Sequence, residues 1–128
     1  MIPGINITTS ASPRQAELDR RDEAHSMLSQ WWHDMADKEV EAVVPKAIEY
    51  GSDDLTEIGT LLARHMGREV EADEAAELGI YFYMLGKMAR WTAAVREGRR
   101  VSDDTILDIG IYDRMVQRIR EVGAWPGV

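Results

Sequence analysis

Apolar residues recur with helical period along most of this chain, and no run alternates with strand period between hairpin turn residues. That confines the fold to helices, and the caps and breakers say where they stop. Ser12-Pro13-Arg14-Gln15 marks a helix start, with Ser at the N-cap, Pro at N1 and Gln at N3. The first helix is predicted to run through Leu18, Ala24, Leu28, Trp31 and Trp32 and to end near Asp37. A second is predicted over residues 38–50, burying Val40, Val43, Val44, Ala47 and Ile48. Pro45 has no N–H to donate, so a kink or break is expected there. Gly51 then takes the C′ position and Ser52 caps a short helix from Asp53 to His65, with Leu55, Ile58, Leu61, Leu62 and Met66 facing inward and Gly67 closing it. The longest helix covers residues 71–96, through Ala75, Leu78, Tyr81, Tyr83, Met84, Leu85, Met88 and Trp91, and stops at Gly98. Ser102 caps the last, which carries Ile106, Ile109, Met115, Val116, Ile119 and Val122 and ends at Gly123 and Pro126. The expected architecture is all-α: a bundle of four to five helices with short antiparallel connections. Residues 1–11 are expected to form a flexible arm and residues 12–128 a single helical domain.

Composition narrows the function classes. With no Cys among 128 residues, disulfides, thiolate zinc sites and cysteine nucleophiles are excluded. A net charge of −8 argues against a general binder of DNA or RNA, whose affinity rests on neutralising phosphates with Lys and Arg. It leaves a nucleotide substrate open, since a bound cation inverts the local field. The first residues show neither a basic region nor a long apolar run, so no signal peptide is expected, and no stretch is apolar enough to span a membrane. A cytoplasmic location fits these features. His25, His33 and His65 lack ligand spacing and read as surface residues, and no phosphate-cradling glycine loop or nucleophile elbow is present.

Two acidic clusters carry the chemistry. Glu74 and Glu77 are i, i+3 neighbours, and Asp104 and Asp108 are i, i+4 neighbours, so each pair shares a helix face. Carboxylates on facing helices of a bundle hold hard cations, and magnesium accepts one or two of them together with water and phosphate. Asp73, Glu74, Asp103 and Asp104 have a second explanation, because acidic side chains are favoured in the electropositive first turn of a helix. Glu77 and Asp108 lie beyond the first turn in locally apolar stretches, where a carboxylate needs a partner. Lys87 and Arg90 follow Glu77 by two to three turns and offer charge-assisted donors to phosphate, or else a solvated stripe or ion pairs to the next helix. Tyr112, one turn past Asp108, either packs in the core or meets a base. Trp31, Trp32 and Trp91 are of the kind that stacks on a nucleobase, but a Trp on an apolar helix face is usually core.

Glu74-Ala75-Ala76-Glu77 resembles the E-x-x-E motif of the MazG-like, all-α nucleotide pyrophosphohydrolases, and Asp104-Thr105-Ile106-Leu107-Asp108 resembles their E-x-x-D motif, with Thr105 where that motif has its Glu. The run from Glu77 through Lys87 and Arg90, then Asp103-Asp104, Asp108 and Tyr112, is similar to small phage-encoded relatives. The resemblance spans about residues 40–122. It implies cleavage of a nucleoside triphosphate to a monophosphate and pyrophosphate. It also implies Mg²⁺ or Mn²⁺ on Glu74, Glu77, Asp104 and Asp108, with Glu77 assisting as base, and Lys87, Arg90 and Tyr112 on the substrate. A homodimer or homotetramer is implied too, in a host cytoplasm if the chain is phage-encoded. The competing expectations are a catalytically inactive acidic helical protein that binds a host protein partner, and a purely structural bundle.

Overall fold

The computed structural model describes residues 12–50 and 53–128. The expected arm at 1–11, the Gly51 C′ position and the Ser52 cap lie outside the described residues. Among those described, the chain is all-helical without strands: α1 Pro13–Tyr50, α2 Asp53–His65, α3 Ala72–Arg96 and α4 Asp103–Val122.

α1 corrects the expected division. It is one helix of 38 residues with Pro45 inside it, not two helices meeting near Asp37 or broken at Pro45. The reason is local. Ala36, Lys38, Glu39 and Glu41 are good helix formers, no glycine interrupts them, and a proline removes one internal hydrogen bond without removing the turns on either side. The start is as read: the Ser12 hydroxyl accepts the Gln15 backbone N–H at 3.1 Å.

Chain contacts define two units, Met1–Val40 and Glu41–Val128, with the division inside α1. In the described part of the first, Met27, Leu28, Trp31 and Trp32 are all more than half exposed, and the two indoles meet edge-on at 5.7 Å between ring centres. Trp31 and Trp32 are therefore not core residues, and neither is Trp91 on α3.

The second unit holds the core, which consists of Leu55, Ala76, Ile80, Met115 and Ile119, with Tyr83, Met84, Ile111, Tyr112, Val116 and Trp125 packed against it. α2 and α3 cross at small residues. Leu55, Ala63, Ala75, Ala76 and Gly79 are buried there, and a side chain at Gly59 or Gly79 would run into the facing backbone. Large residues expected inward lie outside: Leu61 on α2 and Met66 just after it, Tyr81, Leu85 and Met88 on α3, Val40, Val44 and Ile48 on α1, Ile106 and Val122 on α4.

α3 ends at Gly98, which takes φ 72° so that Arg99 N–H can reach back to the Ala94 carbonyl at 3.0 Å. Ser102 then starts α4. Its hydroxyl accepts the Thr105 N–H at 3.3 Å and lies 3.0 Å from the hydroxyl of Thr105, which is buried. Ser102→Ala is expected to cost about 1 kcal/mol of stability, measured by urea unfolding. Gly123 closes α4 in the left-handed region, and its N–H bonds to the Ile119 carbonyl at 2.7 Å.

Candidate functional site

α3 and α4 run antiparallel, and two ion pairs fix their register. Lys87 Nζ lies 2.7 Å from the Asp108 carboxylate, and Arg120 Nε lies 2.7 Å from that of Glu77. Lys87 follows Glu77 by about 15 Å of helix rise, so Glu77 and Asp108 sit toward opposite ends of the seam.

The expected site residues accordingly fall into two groups. Glu74 and Glu77 belong to the first turns of α3. The Arg68 guanidinium donates to Glu74 at 2.8 Å, and Arg120 grips Glu77 through two nitrogens, at 2.7 and 2.9 Å. A recess of about 340 Å³ at this end is lined by Asp73, Glu74, Glu77, Ile119 and Arg120. The two hydrogen bonds from Arg120, and then its charge, hold the Glu77 carboxyl below the usual glutamate range against the upward push of partial burial. A lowered folded-state value means that the pair stabilises the fold above the unfolded-state pKa and ceases to do so as pH falls through the folded value. Glu77→Gln should therefore unfold more readily than the parent at neutral pH, and the gap should close in acid; parallel urea curves at neutral and acid pH check this.

The second group gathers at the middle of α3 and the start of α4. Asp108, Lys87, Arg90 and Tyr112 meet there, with Asp104 one turn before Asp108 in the exposed first turn of α4. A cleft of about 540 Å³ is lined by Phe82, Tyr83, Leu85, Gly86, Lys87, Arg90 and Tyr112. Its floor is aromatic: the Tyr83 and Tyr112 rings stack with centres 6.1 Å apart and planes 14° apart. The Tyr83 hydroxyl donates to Asp54 at 3.1 Å across the α2–α3 crossing. Burial, and then that carboxylate, pushes the Tyr83 phenol up, so it stays a neutral donor. The Lys87 side chain is only 17% exposed, which positions its ammonium between the Asp108 carboxylate and the cleft.

Glu74, Glu77, Asp104 and Asp108 thus do not converge on one point within this chain. Among the described residues no group of three or more His, Asp or Glu side chains is placed to hold a metal ion. Helical sterics explain the separation. Each acidic pair stands near the start of its own helix, and the starts of consecutive antiparallel helices lie at opposite ends of the pair.

Sequence reasoning assigned no site role to Arg120, Tyr83, Asp54 or Trp125. The first two had a signal. Once Lys87 is set opposite Asp108 in an antiparallel pair, Glu77 must face the neighbourhood of Arg120, and Tyr83, one turn before Lys87, must share its face. Asp54 and Trp125 had none, because their positions depend on how α2 and the tail after Gly123 fold back.

Among known proteins, no family model matches this chain, and neither a curated protein nor a solved structure is similar to it. No described helix is long and apolar enough to cross a membrane.

Proposed function

We propose that this chain binds a nucleoside triphosphate, the ligand class of the MazG-like pyrophosphohydrolases, with its phosphates on Lys87 and Arg90 and its flat part against Tyr112. The supporting observation is the cleft itself. In a protein of net charge −8, two cations stand beside a stacked pair of tyrosines in one opening. Ammonium and guanidinium groups donate charge-assisted hydrogen bonds to phosphate oxygens, and aromatic faces accept bases without reading their sequence.

Cleavage to a monophosphate and pyrophosphate with Mg²⁺ or Mn²⁺ is the reaction that the resemblance implies. The four carboxylates do not fit a shared ion as one chain arranges them, so no metal-assisted step follows from their geometry. The test has two readouts: equilibrium binding of ribo- and deoxynucleoside triphosphates, and pyrophosphate release with either cation. Saturable binding is expected. Release abolished by Glu77→Gln would extend the proposal to hydrolysis, and failure of every triphosphate to bind would end it.

One observation favours the competing reading of a catalytically inactive acidic binding protein: Glu77 is already satisfied by Arg120. The exposed residues of α3 favour a particular partner, a second copy of the chain. Tyr81, Leu85, Met88 and Val95 form an uncovered apolar stripe. The helix that bears it begins with Asp73, Glu74 and Glu77 and ends with Arg90 and Arg96. Two such helices packed antiparallel place acidic ends against basic ends, as an isologous dimer requires. Sedimentation should find a dimer, and Leu85→Glu should convert it to a folded monomer; a parent that sediments as a monomer would exclude the pairing.

A further inference from the structure

Tyr112 lines two openings. Besides the cleft over Lys87, it borders a cavity of about 370 Å³ between the last turns of α1, the first half of α4 and the C-terminal tail. The walls of this cavity are apolar: Ala47 from α1, Leu107, Ile111 and Met115 from α4, and Trp125 from the tail. Its polar groups are Lys46, Asp108 and Tyr112.

The tail is fixed rather than draped there. The turn at Gly123 reverses the chain, and Arg118 donates to the carbonyls of Pro126 and Gly127 at 3.1 and 3.3 Å. Those bonds press Trp125 onto the core cluster and leave its indole as one wall of the cavity. The volume lies at the small end of the range for ligand pockets.

We infer that this cavity is the base subsite: the ring of the same ligand enters between Trp125 and Tyr112, while its phosphates reach Lys87 and Arg90 on the other side of Tyr112. This rests on the nucleotide reading of the cleft and adds to it a place for the base and a preference. Adjacency carries the argument, since Tyr112 lines both openings and Asp108, which lines the cavity, holds Lys87, which lines the cleft. The rim supplies a donor-only ammonium on Lys46 and an acceptor-only carboxylate on Asp108. Together they suit a ring that presents a carbonyl oxygen beside a ring or exocyclic N–H, as oxo-substituted bases do. A ring with only apolar edges would engage neither group. Lys46, Lys87 and Arg90 outnumber Asp108 among the charged residues that line the two openings, a balance opposite to that of the whole chain.

The test separates base from phosphates. In a Trp31→Phe, Trp32→Phe, Trp91→Phe background, Trp125 is the only remaining indole of the four. Unphosphorylated nucleosides should change its emission saturably, with oxo-substituted bases bound most tightly, and should compete with the triphosphate. Ala47→Leu fills the cavity and should weaken triphosphate binding by about tenfold or more, the scale of a methylene-sized misfit, while leaving inorganic pyrophosphate affinity unchanged. Triphosphate binding that depends on Lys87 and Arg90 but is indifferent to Ala47→Leu, with no nucleoside response from Trp125, would overturn the base subsite and leave the phosphate site standing. Absence of both pyrophosphate and triphosphate binding would overturn the nucleotide reading and this inference together. Should Ala47→Leu not fold, the nucleoside response of the otherwise unaltered cavity decides the matter.

Discussion

Gly79→Ala, and still more Gly59→Ala, is expected to pull α2 away from α3. A Cβ on Gly59 would overlap the Ala75 carbonyl oxygen, and one on Gly79 the Leu55 carbonyl oxygen. The obstructing atoms are backbone inside helices, so no rotamer change relieves the overlap. Helix propensity pulls the other way, favouring alanine over glycine by about 1 kcal/mol. Overpacking a tight contact costs about 1–3 kcal/mol or more, and a backbone collision belongs at the top of that range. The net expectation is a loss of about 2 kcal/mol or more, with Gly59→Ala the worse of the two. Gly86 is the internal control. It sits in the same α3, and nothing lies within 4 Å of an added Cβ. Gly86→Ala should therefore stabilise by about 0.5–1 kcal/mol through propensity alone. Urea unfolding of the three variants reads out both signs. Equal effects at Gly79 and Gly86 would show that α2 and α3 are not in backbone contact.

The second large effect concerns the ligand. Lys87→Ala and Arg90→Ala should each lower triphosphate affinity by at least about tenfold, given about 1.5–3 kcal/mol for a hydrogen bond to a charged group. The fold should tolerate the first change, because the Asp108 side chain it leaves behind is 40% exposed and can be solvated. Arg120→Ala removes an equal charge at the far end of the α3–α4 seam and should leave affinity as it was, which separates a local phosphate site from a diffuse field. Isothermal titration of the three variants provides the comparison. A site built on Glu74 and Glu77 would reverse the order, with Arg120→Ala the sensitive variant.

The ends of elements were legible in the sequence, and the faces were not. Ser12, Ser102, Gly98 and Gly123 act as read, because a cap or a left-handed turn is decided by a few adjacent residues. The join within α1 was misread because Pro45 was weighed without the helix-forming residues around it. Core assignment failed for a different reason. α3 is apolar around most of its circumference, and size suggested that Tyr81, Leu85, Met88 and Trp91 face inward. The close α2–α3 crossing instead selects small residues, so Ala75, Ala76 and Gly79 are buried and the large ones are exposed. Half of the candidate site was legible: Lys87, Arg90, Asp108 and Tyr112 do share one region. The other half was a register problem. Helical spacing puts Glu74 beside Glu77 and Asp104 beside Asp108, but joining the two pairs needs the relative position of two helices, which antiparallel packing sets against it.

Chemical-shift mapping with a nucleoside triphosphate tests the placement of the ligand most directly. The expected result is a set of perturbed amides at Tyr83, Lys87, Arg90, Asp108 and Tyr112, with Glu74, Glu77 and Arg120 unmoved. Perturbations confined to Glu74, Glu77 and Arg120, or none anywhere at saturating ligand, would contradict it.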